Sequence, residues 1–512
     1  LLYKGRTLRK GKTYKGPTGV VGRYSCFNST SLNMYIGIMN RVLMIKSPGF
    51  DLRGLRDKYR GLIRPKLLTK LDEIDPVWTP EGKYVSSSFL RPVWWIDMRR
   101  IGETIAQKAR VSKLSMHEFV ECRPKDKILR YRQAYDELKI QGNLIPRDKH
   151  VNIFIKWELC EAPDKDPRII SPRSCKYNIV LGQYINKFTE LAVYDSIDAL
   201  WGDKVVFKHC SLPAMATEIV RKWRMFPNPV AVGLDASRFD QHVSDQALRF
   251  EHFVYRRLFP GQKDLNELLR VQLCNYCKGK GDVYDFEYKG TGRMSGDMNT
   301  SLGNVILMTS ALYHWKQILG LDFLLVNNGD DSVAIMDQSE LEAFTDGFDL
   351  FFPCYGFNMV AEESVTVIEH IEFCQMNPVQ LDTGWMMVRK PKSVLKDMVA
   401  ISERGVAKYN NYLRDVGFCG LSLYSSCPLV GVFYDVLSSM GTARLEGELR
   451  GGLAYWMKQG EERIEVKPGS YSLESLSSYC RAFKFDPMVV THFEELVRSD
   501  LYAAVQMLSR LC

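Results

Sequence analysis

The chain has 512 residues, more than one compact core usually holds, and its 46% apolar and 25% charged content are ordinary globular values, so several subdomains are expected. A net charge of +9 favours a polyanionic partner. Thirteen scattered cysteines, odd in number, argue against a disulfide framework, and no run approaches the 18 apolar residues of a membrane span.

Residues 1–23 hold seven Lys or Arg, five Gly and no acid, the composition of a flexible leader or of an arm that touches phosphates. The chain begins at Leu1, which reads as a fragment, a processing product, or the downstream part of a longer translation product made by readthrough or frameshifting. Any membrane anchor would then lie outside it. Residues 24–130 mix helical pattern with proline breaks and reveal no role by themselves. Residues 151–158 alternate like a strand, with Ile153, Ile155 and Trp157 on one side and Lys156 and Glu158 on the other. A loop leads on to Arg168-Ile-Ile-Ser-Pro-Arg173-Ser-Cys-Lys176. A strand-loop-strand bearing Lys156, Lys165, Arg168, Arg173 and Lys176 makes a cationic finger able to hold a triphosphate, because arginine forks match phosphate oxygens. Alone it would read as a solvated basic hairpin.

Residues 230–234 predict a buried strand ending at Asp235, with Asp240 following in a D-x4-D spacing. A carboxylate at the carboxyl end of a strand projects into the crevice where sheets bind ligands. Asp240 alone would read as a helix cap. Cys274 and Cys277 form a lone C-x-x-C, read as buried or incidental thiols in preference to zinc ligands. Residues 290–304 form a Gly/Ser loop opening an apolar helix at 305–319. Ser295, Thr300 and Asn304 are its polar handles, and Thr300 and Asn304 lie one helical turn apart.

The stretch Val326-Asn-Asn-Gly-Asp-Asp-Ser-Val333 organises the rest. Asn328-Gly329 between two apolar runs predicts a hairpin whose tight turn pushes Asp330 and Asp331 out of the sheet. Adjacent carboxylates repel, so they remain ionised only beside a counter-charge, and a divalent cation is the natural one. Beyond it, 341–352 reads as a helix, 371–376 with 383–389 as a second hairpin, and 393–512 as largely helical. The helices there are expected at 394–401, Leu473–Phe483 and 489–508. Asp235 and Asp330 could together bind two Mg²⁺ or Mn²⁺ ions about 3.5–4 Å apart, the spacing used for in-line phosphoryl displacement.

Basic finger, D-x4-D, Ser/Gly loop and Asp-Asp hairpin occur in the order found in viral RNA-dependent RNA polymerases. The wording most closely resembles those of the tombusvirus-like plus-strand RNA viruses, carmoviruses and umbraviruses among them. Gly233-Leu-Asp-Ala-Ser-Arg-Phe-Asp-Gln-His242 is similar to their motif A, and Ser295-Gly-Asp-Met-Asn-Thr-Ser-Leu-Gly-Asn304 to motif B. Asn328-Gly-Asp-Asp331 resembles motif C, Glu372-Phe-Cys-Gln375 motif E, and Lys156-Trp-Glu158 through Arg173 motif F. Residues 24–42, with Asn28, Ser29 and Asn33, resemble the segment by which this family admits template.

The resemblance implies an α+β fold shaped as a closed right hand, with fingers, a palm of antiparallel sheet plus helices, and a helical thumb. Residues 1–150 would give the basic leader and fingertips, and 151–228 the fingers with the basic hairpin. Residues 229–390 would give the palm, with a finger insertion near 255–290, and 391–512 the thumb. The implied activity is RNA-directed RNA synthesis from ribonucleoside triphosphates with two Mg²⁺ or Mn²⁺ ions. Asp235, Asp330 and Asp331 would be catalytic and hold the metal. Asp240 and Asn304 would read the ribose 2′-hydroxyl, with Ser295 and Thr300 assisting. Lys156, Lys165 and Arg168 would meet the triphosphate, and Arg173, Lys176 and Gly296 the RNA. Implied partners are viral template and nascent RNA, a membrane-anchored viral replication protein or fused upstream region, and further copies of the chain. The implied location is the host cytoplasm, in replication complexes on organelle membranes. One departure is Val360, which stands where the family often has a lysine serving as general acid. A reverse transcriptase, a two-metal nuclease and a basic RNA-binding protein are the alternatives. The Asp240/Asn304 pair argues against the first, and the triphosphate-sized finger against the second.

Overall fold

Residues 91–155, 169–236, 238–280, 284–290, 292–346, 348–399, 406–442 and 467–511 are described by the computed structural model, together with 2–3, 6–7, 13–15, 21–24, 453, 455 and 457. The strands used below are, in chain order, β1 (Thr13–Lys15), β2 (Val21–Tyr24), β3 (Val151–Ile155), β4 (Ile169–Ile170), β5 (Pro229–Ala236), β6 (Asn275–Lys280), β7 (Tyr284–Gly290), β8 (Phe323–Asn327), β9 (Asp331–Asp337), β10 (Met359–Ala361), β11 (Met376–Leu381) and β12 (Gly384–Arg389). The helices used below are α1 (Lys125–Gln141), α2 (Cys175–Gly182), α3 (Phe239–His242), α4 (Asp245–Leu258), α5 (Lys263–Gln272), α6 (Thr300–Leu319), α7 (Leu473–Phe483), α8 (Pro487–Ser499) and α9 (Leu501–Leu511). Helix and sheet are thus mixed throughout. Among the described residues, no helix is long and apolar enough to cross a membrane.

By its internal contacts the chain forms two compact units that interleave along the sequence. The first unit takes Leu1–Val206, Asp235–Leu321 and Glu342–Val360; the second takes Phe207–Leu234, Asp322–Leu341 and Ala361–Cys512.

In the first unit a six-stranded sheet has the order β1-β2-β7-β6-β3-β4. Two paired strands follow residue 150: β3 and β4 pair antiparallel, Phe154 with Ile170 and Ile155 with Ile169. α6 is buried almost all round, and it stops at Gly320, whose φ of +65° is the left-handed cap that glycine adopts without strain. It starts five residues before the expected 305. Asn299 is its N-cap, so Thr300 and Asn304 both belong to the helix.

The sheet of the second unit has the order β8-β9-β5-β10; the last two residues of β5, Asp235 and Ala236, and the first two of β10 are counted with the first unit. The Gln338 backbone N–H donates to the carbonyl of Asn228, so β9 ends where β5 begins and the two run antiparallel. β5 therefore runs towards the end of the sheet that carries the β8–β9 turn. Beneath lies a core that includes Val326, Val333, Ile335, Val379, Tyr434, Tyr479 and Phe493.

Further expectations differ from the structure: 341–352 holds two short helices, Leu341–Thr345 and Phe348–Phe351, and the helix expected at 394–401 is Ser393–Asp397. The second hairpin pairs β11 with β12 through Leu381 and Gly384, so 371–376 is not its first strand. The chain reverses tightly at Cys374-Gln375, both with positive φ (54° and 61°), a turn for which no glycine or asparagine gives warning. The single helix expected at 489–508 is two, α8 and α9, because Asp500 leaves helical geometry and its carboxylate accepts from Ala503 N–H at the start of α9.

Candidate functional site

In the second unit the β8–β9 hairpin pairs Val326 with Val333 and Asn327 with Ser332. The N–H of Asn328 donates to the Asp331 carbonyl (2.8 Å), which leaves Gly329 and Asp330 as the two turn residues. Gly329 has φ +90°, so the glycine takes the first turn position instead of the second, and the turn lies one residue later than an Asn328-Gly329 turn would. Asp330 is exposed at the tip, and Asp331 is the half-buried first residue of β9. Buried Asn327 secures the turn: its amide donates to the Gly329 carbonyl and to Ser332 Oγ, both at 2.8 Å, and its oxygen accepts from the Gly329 N–H.

Burial pushes the Asp331 carboxyl up to about 6; the N–H of Cys374, donating to Oδ2 at 2.8 Å, opposes this, and the charges of Asp330 and Glu362 reinforce it. Glu362 has no role in the sequence reading. Its N–H donates to the Gly233 carbonyl at 2.8 Å, and a Cβ on Gly233 would stand 2.0 Å from its Oε2. A side chain two residues before Asp235 would therefore displace an acid that acts on Asp331. Asp235 itself is exposed as the penultimate residue of β5.

A carboxyl such as Asp331, whose proton affinity is raised by burial and by neighbouring acids, fits a hard divalent cation, which would supply the missing positive charge. Among the described residues, no group of three or more His, Cys, Asp or Glu converges closely enough to enclose an ion. Water and substrate oxygens would have to complete the shell, the way Mg²⁺ is ordinarily held.

In the first unit the expected Asp240 and Asn304 meet: Asn304 Nδ2 donates to Asp240 Oδ1 at 2.9 Å. Asp240 lies on α3, a four-residue turn entered through Arg238 with φ +50°. Thr300 donates its hydroxyl to the Met294 carbonyl (2.9 Å), closing the loop onto the first turn of α6. Ser295 ties that loop to β4, accepting from Ser171 N–H (3.3 Å) and donating to the Ile169 carbonyl (3.2 Å). Gly296 bridges to Pro172, and a Cβ there would lie 2.6 Å from Pro172 Cα. Glycine at 296 is thus a packing requirement between two loops.

Lys156, Lys165 and Arg168 lie outside the described residues. Arg173, expected at the RNA, is only 2% exposed. Its guanidinium donates to Asp297 (2.6 Å), to Asn275 and to the Lys149 carbonyl (2.9 Å), so it pins the segment after β4 to the loop before α6. In this structure its side chain is an internal brace. Lys176 on α2 pairs with Glu137 (3.1 Å) and Gln141 (3.0 Å) on α1. Cys277 is buried and Cys274 exposed.

Residues 83–501 match the family described as viral RNA dependent RNA polymerase. The chain is 41% identical over 319 residues to the RNA-directed RNA polymerase of Tobacco necrosis virus (strain A), covering 61% of this chain and 44% of that protein. It is 33% identical over 481 residues to that of Panicum mosaic virus, covering 92% of this chain and 46% of the relative. With that of Red clover necrotic mosaic virus it shares 31% over 500 residues, 96% of this chain and 61% of the relative. The chain therefore spans about half the length of these curated relatives. The matched region takes in the acidic hairpin, the Asp240–Asn304 pair and the loop that joins β4 to α6, and on these grounds the chain belongs to the viral RNA-dependent RNA polymerase family.

Proposed function

We propose that this chain copies RNA into RNA, joining ribonucleoside triphosphates with release of pyrophosphate. The observation that carries the reading is the family match over residues 83–501, which contains the segments similar to motifs A, B, C, E and F. The similar proteins of Tobacco necrosis virus and Oat chlorotic stunt virus are named RNA-directed RNA polymerases.

Asp235, Asp330 and Asp331 would hold Mg²⁺ or Mn²⁺. Bound there, a pair of divalent ions supplies charge for the attacking and leaving oxygens of an in-line displacement. Asn327 holds the turn rigid, and the Cys374 N–H fixes Asp331 in one orientation. Asp240 and Asn304 would hydrogen-bond the ribose 2′-hydroxyl, the group that distinguishes RNA from DNA precursors. Ser295 and Thr300 hold the loop that shapes this pocket. Lys156, Lys165 and Arg168 would neutralise the triphosphate. The arrangement proposed is a right hand, with the helical C-terminal part as thumb. Template and product RNA are the partners, with a membrane-anchored viral replication protein in a host cytoplasmic complex.

The test is incorporation on a short RNA template, with and without a primer, using ribo- or deoxyribonucleoside triphosphates and Mg²⁺. Template-dependent and cation-dependent ribonucleotide incorporation is expected. A preference for deoxyribonucleotides, or RNA degradation without added nucleotides, would overturn the reading.

A further inference from the structure

Asp240 and Asn304 do not stand alone. Arg293 and Glu251 lie behind them, 1% and 0% exposed, in the same unit. Arg293 Nη1 donates to Glu251 Oε1 at 3.1 Å, and Nη2 donates to Oε2. The third arm of the same guanidinium, Nε, donates to Asn304 Oδ1 at 3.1 Å. Asn304 then donates through Nδ2 to Asp240. Glu251 is held in turn: Tyr255 donates its hydroxyl to Oε1 (2.8 Å), and so does Asn299 through its amide, itself bonded to Gln272 on α5.

The chemistry of these groups settles which way the Asn304 amide faces. Its two ends are nearly the same shape and exchange by a simple flip. A guanidinium can only donate and a carboxylate can only accept, so the oxygen must face Arg293 and the nitrogen must face Asp240. A buried ion pair is costly to form and seldom a net source of stability, which leaves orientation as the better reason to keep one here. Burial works against the charge on Glu251, but the field and hydrogen bonds of Arg293 outweigh it and keep the carboxyl below its usual range. α6 closes over the pair at Gly303, where a Cβ would lie 2.3 Å from Arg293 Nη2 and 2.5 Å from Glu251 Cδ.

We infer that Arg293, clamped by Glu251, is a positioning residue for sugar discrimination: it presents the Asn304 amide to Asp240 in the one orientation that lets the pair recognise a 2′-hydroxyl. This rests on the polymerase reading above. A lysine cannot replace it, because one ammonium lacks the planar fork needed to grip Glu251 with two arms and Asn304 with a third.

The test measures kcat/KM for ATP and for dATP on one RNA template, in the parent chain and in Arg293→Lys, Glu251→Gln and Gly303→Ala. A loss of global packing lowers both values together. Loss of one oriented hydrogen bond is expected to lower the ATP/dATP ratio about tenfold in the Arg293 and Glu251 variants. Gly303→Ala, which presses on the same pair from the helix, should move the ratio in the same direction. If the Arg293 variant shows no cooperative thermal transition, the ratio in Glu251→Gln decides. A discriminating parent whose folded variants keep its ratio would overturn this inference alone. A parent that makes no RNA would overturn the polymerase reading beneath it.

Discussion

Asp330→Asn is expected to abolish nucleotide incorporation, by at least about 10³-fold, while leaving RNA binding intact; cation-based charge stabilisation is worth several kcal/mol in such reactions. Asp330 is exposed at the tip of the β8–β9 turn, and the amide has the carboxylate's shape, so the hairpin should survive the change. Only the charge is lost. The rate of ribonucleotide addition and the affinity for a labelled RNA, measured on the same preparation, separate the two effects. An unchanged rate would make the acids structural. Joint loss of synthesis and binding would place Asp330 in RNA contact and not in metal binding.

Arg173→Ala is expected to destabilise the fold by roughly 3–5 kcal/mol, since it strands the buried Asp297 carboxylate without its counter-charge. Burial already pushes the Asp297 carboxyl up, and Arg173 is the main influence holding it down. Denaturant unfolding of parent and variant gives the difference directly. An arginine that touched RNA would behave otherwise, with an unchanged midpoint and an RNA affinity less dependent on salt.

How much of this could be read beforehand depended on whether a residue's partner was local. The Asp330 hairpin, the strand ending near Asp235 and the shared helix face of Thr300 and Asn304 all follow from periods of two or of 3.6 residues. Their placement agrees with that reading, and Asp240 and Asn304 meet although 64 residues apart. The turn slipped by one residue because glycine is equally suited to the first position of a two-residue turn, and only the strand register selects between them.

Glu251 and Arg293 were missed because a buried ion pair between a helix and a loop has no period. One signal was present: Glu251 sits in the apolar stripe Leu248, Tyr255 and Leu258 of α4, where an acid needs a buried partner. The bracing role of Arg173 is illegible for a related reason. Its neighbours are basic and its spacing suits a phosphate finger, but Asp297, 124 residues on, claims the side chain. Cys374-Gln375 carries no turn signal at all, and its tight reversal is imposed by the pairing of Phe373 with Met376 and by the bond to Asp331.

The most direct measurement of a shared cation site replaces Mg²⁺ with Fe²⁺ and maps where the resulting hydroxyl radicals cut the backbone. Two groups of cuts are expected, one around residue 235 at the end of β5 and one around 328–331 in the β8–β9 turn, both suppressed by excess Mg²⁺ and both absent in Asp330→Asn. Cuts confined to one of the two segments, or insensitive to Mg²⁺, would contradict a site built from both.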